Sequence, residues 1–394
     1  MYHRPKLLAM LSGYTVGLGV TGSIAAVKTV ELAHELRRLG ADIRAISSPS
    51  ASSIIHPWSL EFATGQPVVT EITGAVEHVE LFGHDGIADC LLIAPATANT
   101  IGKIVAAIDD TPVTTCATTA IGTGLPIILA PAMHEPMYDH PGVIENIDRL
   151  DDYGVSIVPP RIEEGKAKIA AEADIALEVV RAVTPSPLAG AEVVVTSGPT
   201  TERIDPVRVL TNRSSGRMGR AVAKGCYAAG ASVTLIHDGP DVRYATVERV
   251  ESGAEMREAT LAAVDGADAL ISAAAISDFT VEEASEKRRS GTPFSLEFQP
   301  EPKLIDAVRT AQPDMPIVGF KLEPGADDDA LVAAARETLD RVDLTFVVAN
   351  DATVLGADEA RVLLVRPDDV EEHAGPKASV GLSIATELAA ELDS

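Results

Sequence analysis

The stretch 17-GLGVTGSIAAVKTVELAHELRRLGADIRAISS-48 decides how the first half of the chain folds. An apolar segment runs into glycines, a helix-period segment follows from Ala25 to Leu39, and a second apolar segment, ADIRAISS, closes the unit. This grammar is a strand, a glycine loop, a helix and a parallel strand. Gly17, Gly19 and Gly22 imitate a GxGxxG dinucleotide fingerprint. An acidic residue should then take the ribose of NAD at the end of the second strand, but that strand ends in Ile46-Ser47-Ser48. NAD is disfavoured. Backbone N–H groups at a helix start, with the hydroxyls of Thr21 and Ser23, suit a compact phosphate monoester such as that of FMN.

Working outward, CLLIAPA at 90–96 and LPIILAPA at 125–132 supply further apolar runs between helix-period segments, the pattern of a parallel sheet covered on both faces. The segment 184-TPSPLAG-190 interrupts it with prolines and small residues and reads as a linker. Afterwards the pattern restarts with AEVVVTSGPT, the helix-period run 219-GRAVAKGCYAAG-230, ASVTLIHDGP, ADALISAAAISDF, MPIVGFK and LTFVVAND. The expected fold is α/β, two tandem Rossmann-like parallel-sheet domains over residues 1–186 and 187–394. Their loops differ, so they are not a sequence repeat.

The chain has 394 residues, 46% hydrophobic and 23% charged, enough for two buried cores. Asp and Glu outnumber Lys and Arg by 58 to 32, a net charge of −26 spread along the whole length. Such a surface repels nucleic acid and anionic membranes, and its plain reading is a solvated coat. Cys90, Cys116 and Cys226 lie far apart without metal-ligand spacing, which fits a reducing cytoplasm. The N-terminal MYHRPKLLAML imitates a secretory signal but continues into the first strand and its loop. No segment offers about 18 uninterrupted apolar residues, so no membrane span is expected.

Two further stretches fall at expected strand ends, 94-APATANT-100 and 131-PAMHEPMY-138. TGSIAA, 77-EHVEL-81, APATANT and PAMHEPM, in order over about 180 residues, resemble the flavin-containing cysteine decarboxylases. In particular they are similar to the decarboxylase half of the bifunctional phosphopantothenoylcysteine decarboxylase/phosphopantothenate-cysteine ligases. The resemblance implies FMN held by Gly19, Thr21, Gly22, Ser23, Ser47, Thr97, Asn99 and Thr114, and substrate held by His134 and Met137. It makes His78 the catalytic histidine, a base or electrostatic partner near neutral pH.

The chemistry explains the need for a flavin: oxidising the cysteine thiol to a thioaldehyde places the carboxylate β to a C=S group and makes CO₂ loss feasible. The enethiolate left behind is then reduced and protonated. Two departures from the family pattern stand out. His134 occupies the place of an asparagine in PxMN, and 159-PPRIEEGKAKIA-170 lacks the flap cysteine, leaving Glu163, Glu164 and Lys166 as candidate flap groups, Glu164 among the catalytic candidates, with the proton donor open among them and a plain charged loop the alternative. His84, His140 and His237 carry no such motif and read as structural.

The second half carries 196-TSGPTTERIDPVRVLTNRSSGRMGRA-221, a long glycine-punctuated loop between a strand and a helix. SGPT, IDPVR and NRSSGRMG resemble the ligase half of the same bifunctional family; there is no GxxxxGK[ST]. The implied reaction joins 4′-phosphopantothenate to CMP from CTP, releasing pyrophosphate, and then lets the amine of cysteine displace CMP. By resemblance Asn212 handles the acyl-cytidylate with Arg208 beside it, and Ser214, Ser215 and Gly216 bind the substrate phosphate. Ala274 and Ala275 meet the nucleotide base and sugar, and Asp278 lies near the ribose or a Mg²⁺ ion. Lys287 in 286-EKRRS-290 binds the triphosphate, with Arg289 replacing a second lysine. Pro302, Lys303, Leu304, Ile305 and the stacking candidate Phe320 complete the nucleotide set, with Arg336 and Arg341 in place of the usual lysines.

The expected enzyme is thus a cytoplasmic, bifunctional member of coenzyme A synthesis using phosphopantothenate, cysteine and CTP, with FMN and Mg²⁺. The resemblance implies a homo-oligomer with a trimeric decarboxylase core and a dimeric ligase, up to a dodecamer. Two rivals are a regulatory module built on the decarboxylase fold, which the ligase motifs oppose, and an NAD-dependent oxidoreductase, which the missing acidic residue opposes.

Overall fold

The computed structural model describes residues 10–287, 291, 294–350 and 358–393. The chain divides into two compact units, 1–184 and 185–394. The signal-like residues 1–9 lie outside the described part.

The first unit is built on a parallel sheet of β1 (Thr15–Val20), β2 (Asp42–Ser47), β3 (Cys90–Ala96), β4 (Ile127–Pro131) and β6 (Val155–Ile157), in the order β2-β1-β3-β4-β6. Strand β3 is buried at all seven positions, as an unalternating apolar run requires when both sheet faces are covered. The covering helices are α1 (Thr29–Arg38), α2 (Pro49–Ser52), α3 (Pro57–Thr64), α4 (Glu77–Phe82), α5 (Ala98–Val105), α6 (Pro112–Thr123), α7 (Glu135–Tyr138), α8 (Pro141–Asp152) and α9 (Glu172–Val183). A second, antiparallel sheet joins β5 (Met133–His134), β7 (Arg161–Glu163) and β8 (Lys166–Lys168).

The helix expected from Ala25 begins instead as a 3-10 turn, Ile24–Lys28, and becomes α-helical only at Thr29. The fingerprint glycines serve packing. A Cβ on Gly17 would lie 2.3 Å from Cζ of Phe82, and one on Gly19 would lie 3.1 Å from Cγ1 of Val113. Phe82 is fully buried, so Gly17 is what lets α4, the helix carrying His78, seat against β1.

The second unit carries an eight-stranded sheet ordered β13-β12-β9-β14-β17-β18-β19-β20. Its strands are β9 (Glu192–Thr196), β12 (Ser232–His237), β13 (Thr246–Arg249), β14 (Ala269–Ser272), β17 (Ile317–Leu322), β18 (Phe346–Asn350), β19 (Glu359–Val365) and β20 (Val370–Pro376). The first six strands in sheet order are parallel, and β19 and β20 add an antiparallel tail. Two small ribbons lie outside it, β10 (Thr201–Arg203) with β11 (Val209–Thr211) and β15 (Phe279–Val281) with β16 (Phe298–Pro300). The helices are α10 (Arg217–Ala228), α11 (Gly253–Ala263), α12 (Leu304–Ala311), α13 (Asp328–Val342) and α14 (Lys377–Leu392). Val194, Leu270, Ile317 and Val347 of the sheet form the core with Leu304, Val308, Leu331 and Leu339 of the helices. Among the described residues no helix is long and apolar enough to cross a membrane.

Candidate active sites

In the first unit the carboxyl ends of β1, β3 and β4 open onto a cavity of about 980 Å³. Gly22, Ser23, Thr97, Asn99, His134 and Met137, expected from the sequence as FMN and substrate contacts, all line it. Part of its wall comes from the hairpin β7–β8, through Arg161, Glu163, Lys166 and Lys168. Strand pairing sets His134 opposite Lys166 and Met133 opposite Ala167, so the segment 159–170 closes over the PAMHEPM loop as a formed hairpin. Glu164 sits at its tip with φ +53, four-fifths exposed, and its carboxylate accepts from Lys168 Nζ at 3.0 Å. The Lys168 bond holds the Glu164 carboxyl below the usual range. Glu164 is not in the cavity wall; its neighbours Glu163 and Lys166 are.

The other expected FMN contacts support the loop from behind. Thr21 is buried, its hydroxyl donating to the Pro95 carbonyl at 2.7 Å and accepting from the Thr97 N–H at 3.2 Å. It fastens the glycine loop to the APATANT loop. Thr97 caps α5 by accepting from the Thr100 N–H at 3.2 Å. Ser47 bonds Ser52 at 3.0 Å, and Thr114 closes a capping box with Thr111 at the start of α6. Both are buried. Ser50, which sequence reading missed, lines the cavity and fills the space above Gly22, where a Cβ would meet its Oγ at 2.5 Å. Only tertiary approach reveals it. The end of β2 holds no acid for a ribose: Ser48 Oγ bonds Ser50 Oγ at 3.2 Å and caps α2.

His78 lies in the first turn of α4, half-buried, outside the cavity wall, with Nδ1 buried and lacking a hydrogen-bond partner among the described residues. None of the cysteines offers an alternative acid. Burial pushes the thiols of Cys90, Cys116 and Cys226 up to about 12.

In the second unit the same sheet edge gathers the loops after β9, β11 and β14. The Asn212 side-chain amide donates to the Ala275 carbonyl, while its Oδ1 accepts from the Ser214 N–H at 3.0 Å. Ala275 in turn donates its N–H to the Gly198 carbonyl at 2.8 Å, and the Ala274 N–H reaches Thr196 Oγ1 at 3.2 Å. Gly216 takes φ +66 and packs on Gly198, where a Cβ would come within 3.0 Å of the Gly198 Cα. Ser197 Oγ donates to the Gly216 carbonyl at 2.9 Å. Asn212, Ser214, Ser215, Gly216 and Ala275 are therefore brought together at the head of α10. Arg208 is held by Asp205 at 2.6 Å, a buried carboxylate that also accepts the N–H groups of Val207 and Arg208 and so shapes the IDPVR turn.

Asp278 pairs with Lys303, joining two expected nucleotide groups. Lys287 is exposed, Pro302 is exposed, and Phe320 is half-buried on β17; Arg289 lies outside the described residues. Leu304 and Ile305 belong to the core instead, anchoring α12. Arg336 is exposed midway along α13, and Arg341 stands in the last turn of that helix, engaged by Asp306 at 2.7 Å. Arg341 is thus at the end of α13 that leads into β18, beside the start of β17 and away from the gathered loops.

Comparison with known proteins finds two family matches. Residues 6–184 match the Flavoprotein family, and residues 188–392 match the DNA/pantothenate metabolism flavoprotein C-terminal domain. The chain is 48% identical over 379 residues to the coenzyme A biosynthesis bifunctional protein CoaBC of Thermococcus kodakarensis, covering 93% of this chain and 94% of that one. It is 35% identical to the protein so named from Methanocaldococcus jannaschii, over 98% of this chain and 97% of that one. The Bacillus subtilis protein of that name is 34% identical over 88% of each chain.

Proposed function

The chain belongs to the family of coenzyme A biosynthesis bifunctional proteins, and from that premise we propose how its residues divide the labour of the ligase and the FMN-dependent decarboxylase that the family joins. The observation that carries the reading is the assembly of Asn212, Ala275 and the Ser214–Gly216 loop at one sheet edge, with a separate cavity framed by the glycine loop, Thr97–Asn99 and His134.

The ligase unit joins 4′-phosphopantothenate to cysteine with a nucleoside triphosphate that we take to be CTP. The Ser214–Gly216 loop, its Ser214 N–H already given to Asn212, receives the substrate phosphate at the head of α10. Lys287 steadies the triphosphate during activation. Asn212, already aligned by its bonds to Ala275 and Ser214, directs an amide donor at the acyl carbonyl as the amine of cysteine attacks. Asp278 would hold a Mg²⁺ ion arriving with the nucleotide; one exposed carboxylate suits an ion that keeps most of its water and phosphate ligands.

The first unit then decarboxylates phosphopantothenoylcysteine to 4′-phosphopantetheine. The cavity fits FMN in size and lining: at Gly22 a Cβ has no room, and Gly22, Ser23, Thr97 and Asn99 border the space. Bound FMN supplies the electron sink for the thiol carbon. His134 and Met137 hold the substrate, and the hairpin β7–β8 covers it. Lys166 or Glu163, on the cavity wall, is better placed than Glu164 to deliver the final proton.

His78 stands off its own chain's cavity, which fits a homo-oligomer in which a neighbouring copy's cavity receives it. Ile24, Val27, Trp58 and Phe62, each more than half exposed, supply apolar surface for a trimeric decarboxylase core, with a dimeric ligase building up to a dodecamer. We place the enzyme in the cytoplasm.

The test is incubation of the purified chain with phosphopantothenate, cysteine, Mg²⁺ and either CTP or ATP, with products followed by mass spectrometry. Phosphopantetheine forming with CTP, from a yellow protein, is the expected result. A colourless protein that forms no amide refutes the reading.

A further inference from the structure

Val76, the residue on which helix α4 starts, lies in the left-handed region at φ +52 and ψ +49. Among the described residues the other non-glycine positions with positive φ are Ala107, Glu164 and Asp343, so Val76 alone is β-branched. A left-handed conformation crowds Cβ against the following carbonyl, and branching at Cβ sharpens the clash. The residues preceding α2, α3, α5, α6, α7, α8 and α9 are all extended, which is where a valine also goes unaided.

Core packing does not force this conformation, since Val76 is half-exposed. The loop before the helix closes it instead. The Glu77 carboxylate accepts the Thr73 N–H at 2.8 Å through Oε2 and the Thr73 hydroxyl through Oε1. The Thr73 hydroxyl oxygen accepts the Ala75 N–H at 3.1 Å, and the Thr73 carbonyl accepts the Val76 N–H at 3.1 Å. Residues 73–77 are thereby tied into one closed turn, whose bonds from Thr73 hold the Glu77 carboxyl below its usual range. The first turn of α4 hangs on Val76, whose carbonyl accepts the N–H groups of Val79 at 2.8 Å and Glu80 at 3.2 Å. The other end of this six-residue helix is fixed separately, with Leu81 and Phe82 buried and Phe82 against Gly17. His78 lies in the turn between, so its place depends on how the helix starts.

Resting on the decarboxylase reading above, we infer that Glu77 is a positioning residue for His78: by clasping Thr73 it keeps Val76 left-handed, and so keeps the first turn of α4 wound with the histidine in its catalytic place. Without the clasp Val76 relaxes to extended backbone. The carbonyl that starts the helix then turns away, and His78 moves with the unwound turn.

The test uses the full chain with FMN bound and phosphopantothenoylcysteine as substrate. Glu77→Ala is expected to lower kcat for CO₂ release about tenfold or more, with KM within about twofold and flavin per chain unchanged. Adding Val76→Gly should raise kcat again by about threefold or more, because glycine takes the left-handed region at no steric cost and the turn no longer needs the clasp. Amide exchange at Val79 and Glu80 should quicken in Glu77→Ala and slow again in the double variant. A Glu77 that served only as a charge beside His78 would gain nothing from the glycine. Undiminished kcat in Glu77→Ala, a rise in KM alone, unchanged amide exchange, or a double variant no faster than Glu77→Ala each overturns the inference. The reading beneath it fails differently: His78→Asn, made alongside, then keeps wild-type turnover, or the wild type itself releases no CO₂.

Discussion

Asn212 and Ala275 are joined by a side-chain amide donating to a backbone carbonyl, so the loop after β11 and the loop after β14 hold each other in register. In the division of labour proposed above, the second ligase half-reaction depends on that amide. In Asn212→Asp an anion replaces a donor, facing both a carbonyl lone pair and the developing oxyanion, at a cost on the order of 3 kcal/mol. Pyrophosphate release should persist and acyl-cytidylate accumulate, with little phosphopantothenoylcysteine. Lys287→Gln should instead suppress pyrophosphate release. Quench-flow with mass detection separates the two, and a common stalling point would refute the division.

In the decarboxylase unit, His78→Asn should abolish CO₂ release while leaving the flavin absorbance and the ligase rate intact, because the histidine stands off the phosphate loop of its own chain. Mixing this variant with Gly22→Ala chains checks the inter-copy reading. Hybrid oligomers should recover part of the activity, and none recovered would place His78 and the loop in the same copy's site.

Gly22→Ala itself puts a methyl group 2.5 Å from Ser50 Oγ. The loop must shift, so purified protein should lose its yellow colour. Gly22→Ala with Ser50→Gly should regain some of it, measured as flavin per chain at 450 nm or thereabouts.

Gly381→Ala drives a methyl into the Ala221 carbonyl. Backbone cannot yield as a side-chain tip does, and the ligase unit should lose roughly 1–3 kcal/mol or more. Chemical unfolding followed separately for the two units should show the loss in the second transition only.

His237 makes stability depend on pH. It is buried at the end of β12, and burial first, then Arg220, hold its pKa below 6.5. A depressed folded pKa means the unfolded chain takes the proton first. The contribution is therefore intact above pH 6.5 and is lost as pH falls from there through the folded value. Wild type should lose melting temperature over that window more steeply than His237→Gln; equal slopes would exclude His237 as the group responsible.

The parts legible in sequence were those fixed by local pattern. Unalternating runs such as Cys90–Ala96 gave the buried strands, and the motifs located Asn99, His134 and Asn212 at strand ends because loops at that edge are where such residues gather. What escaped depended on distant approach. Thr21 reads as a phosphate ligand until its hydroxyl is found spent on Pro95; Gly17 reads as a nucleotide glycine until Phe82 is found beneath it. Ser50 carries no motif at all. The antiparallel tail was missed because Glu359–Val365 and Val370–Pro376 mix charges with short apolar runs and are joined by a tight turn, a weak signal beside the parallel strands. Arg341 matched a family pattern by position, yet the direction of α13 carries it to the far end.

Among the described residues the tail strand β20 ends its sheet, with no strand paired to the other side of Val370–Pro376. An open edge invites another copy's edge to dock, and this one carries adjacent glutamates, Glu371 and Glu372. Two such edges meeting would set like charges against each other, a repulsion that reaches about 10 Å at 0.1 M salt but only about 3 Å at 1 M. Edge-to-edge pairing through β20, distinct from any ligase dimer, should therefore be discouraged in dilute buffer and eased in brine, with the Arg361 bond to Glu372 already offsetting part of the charge.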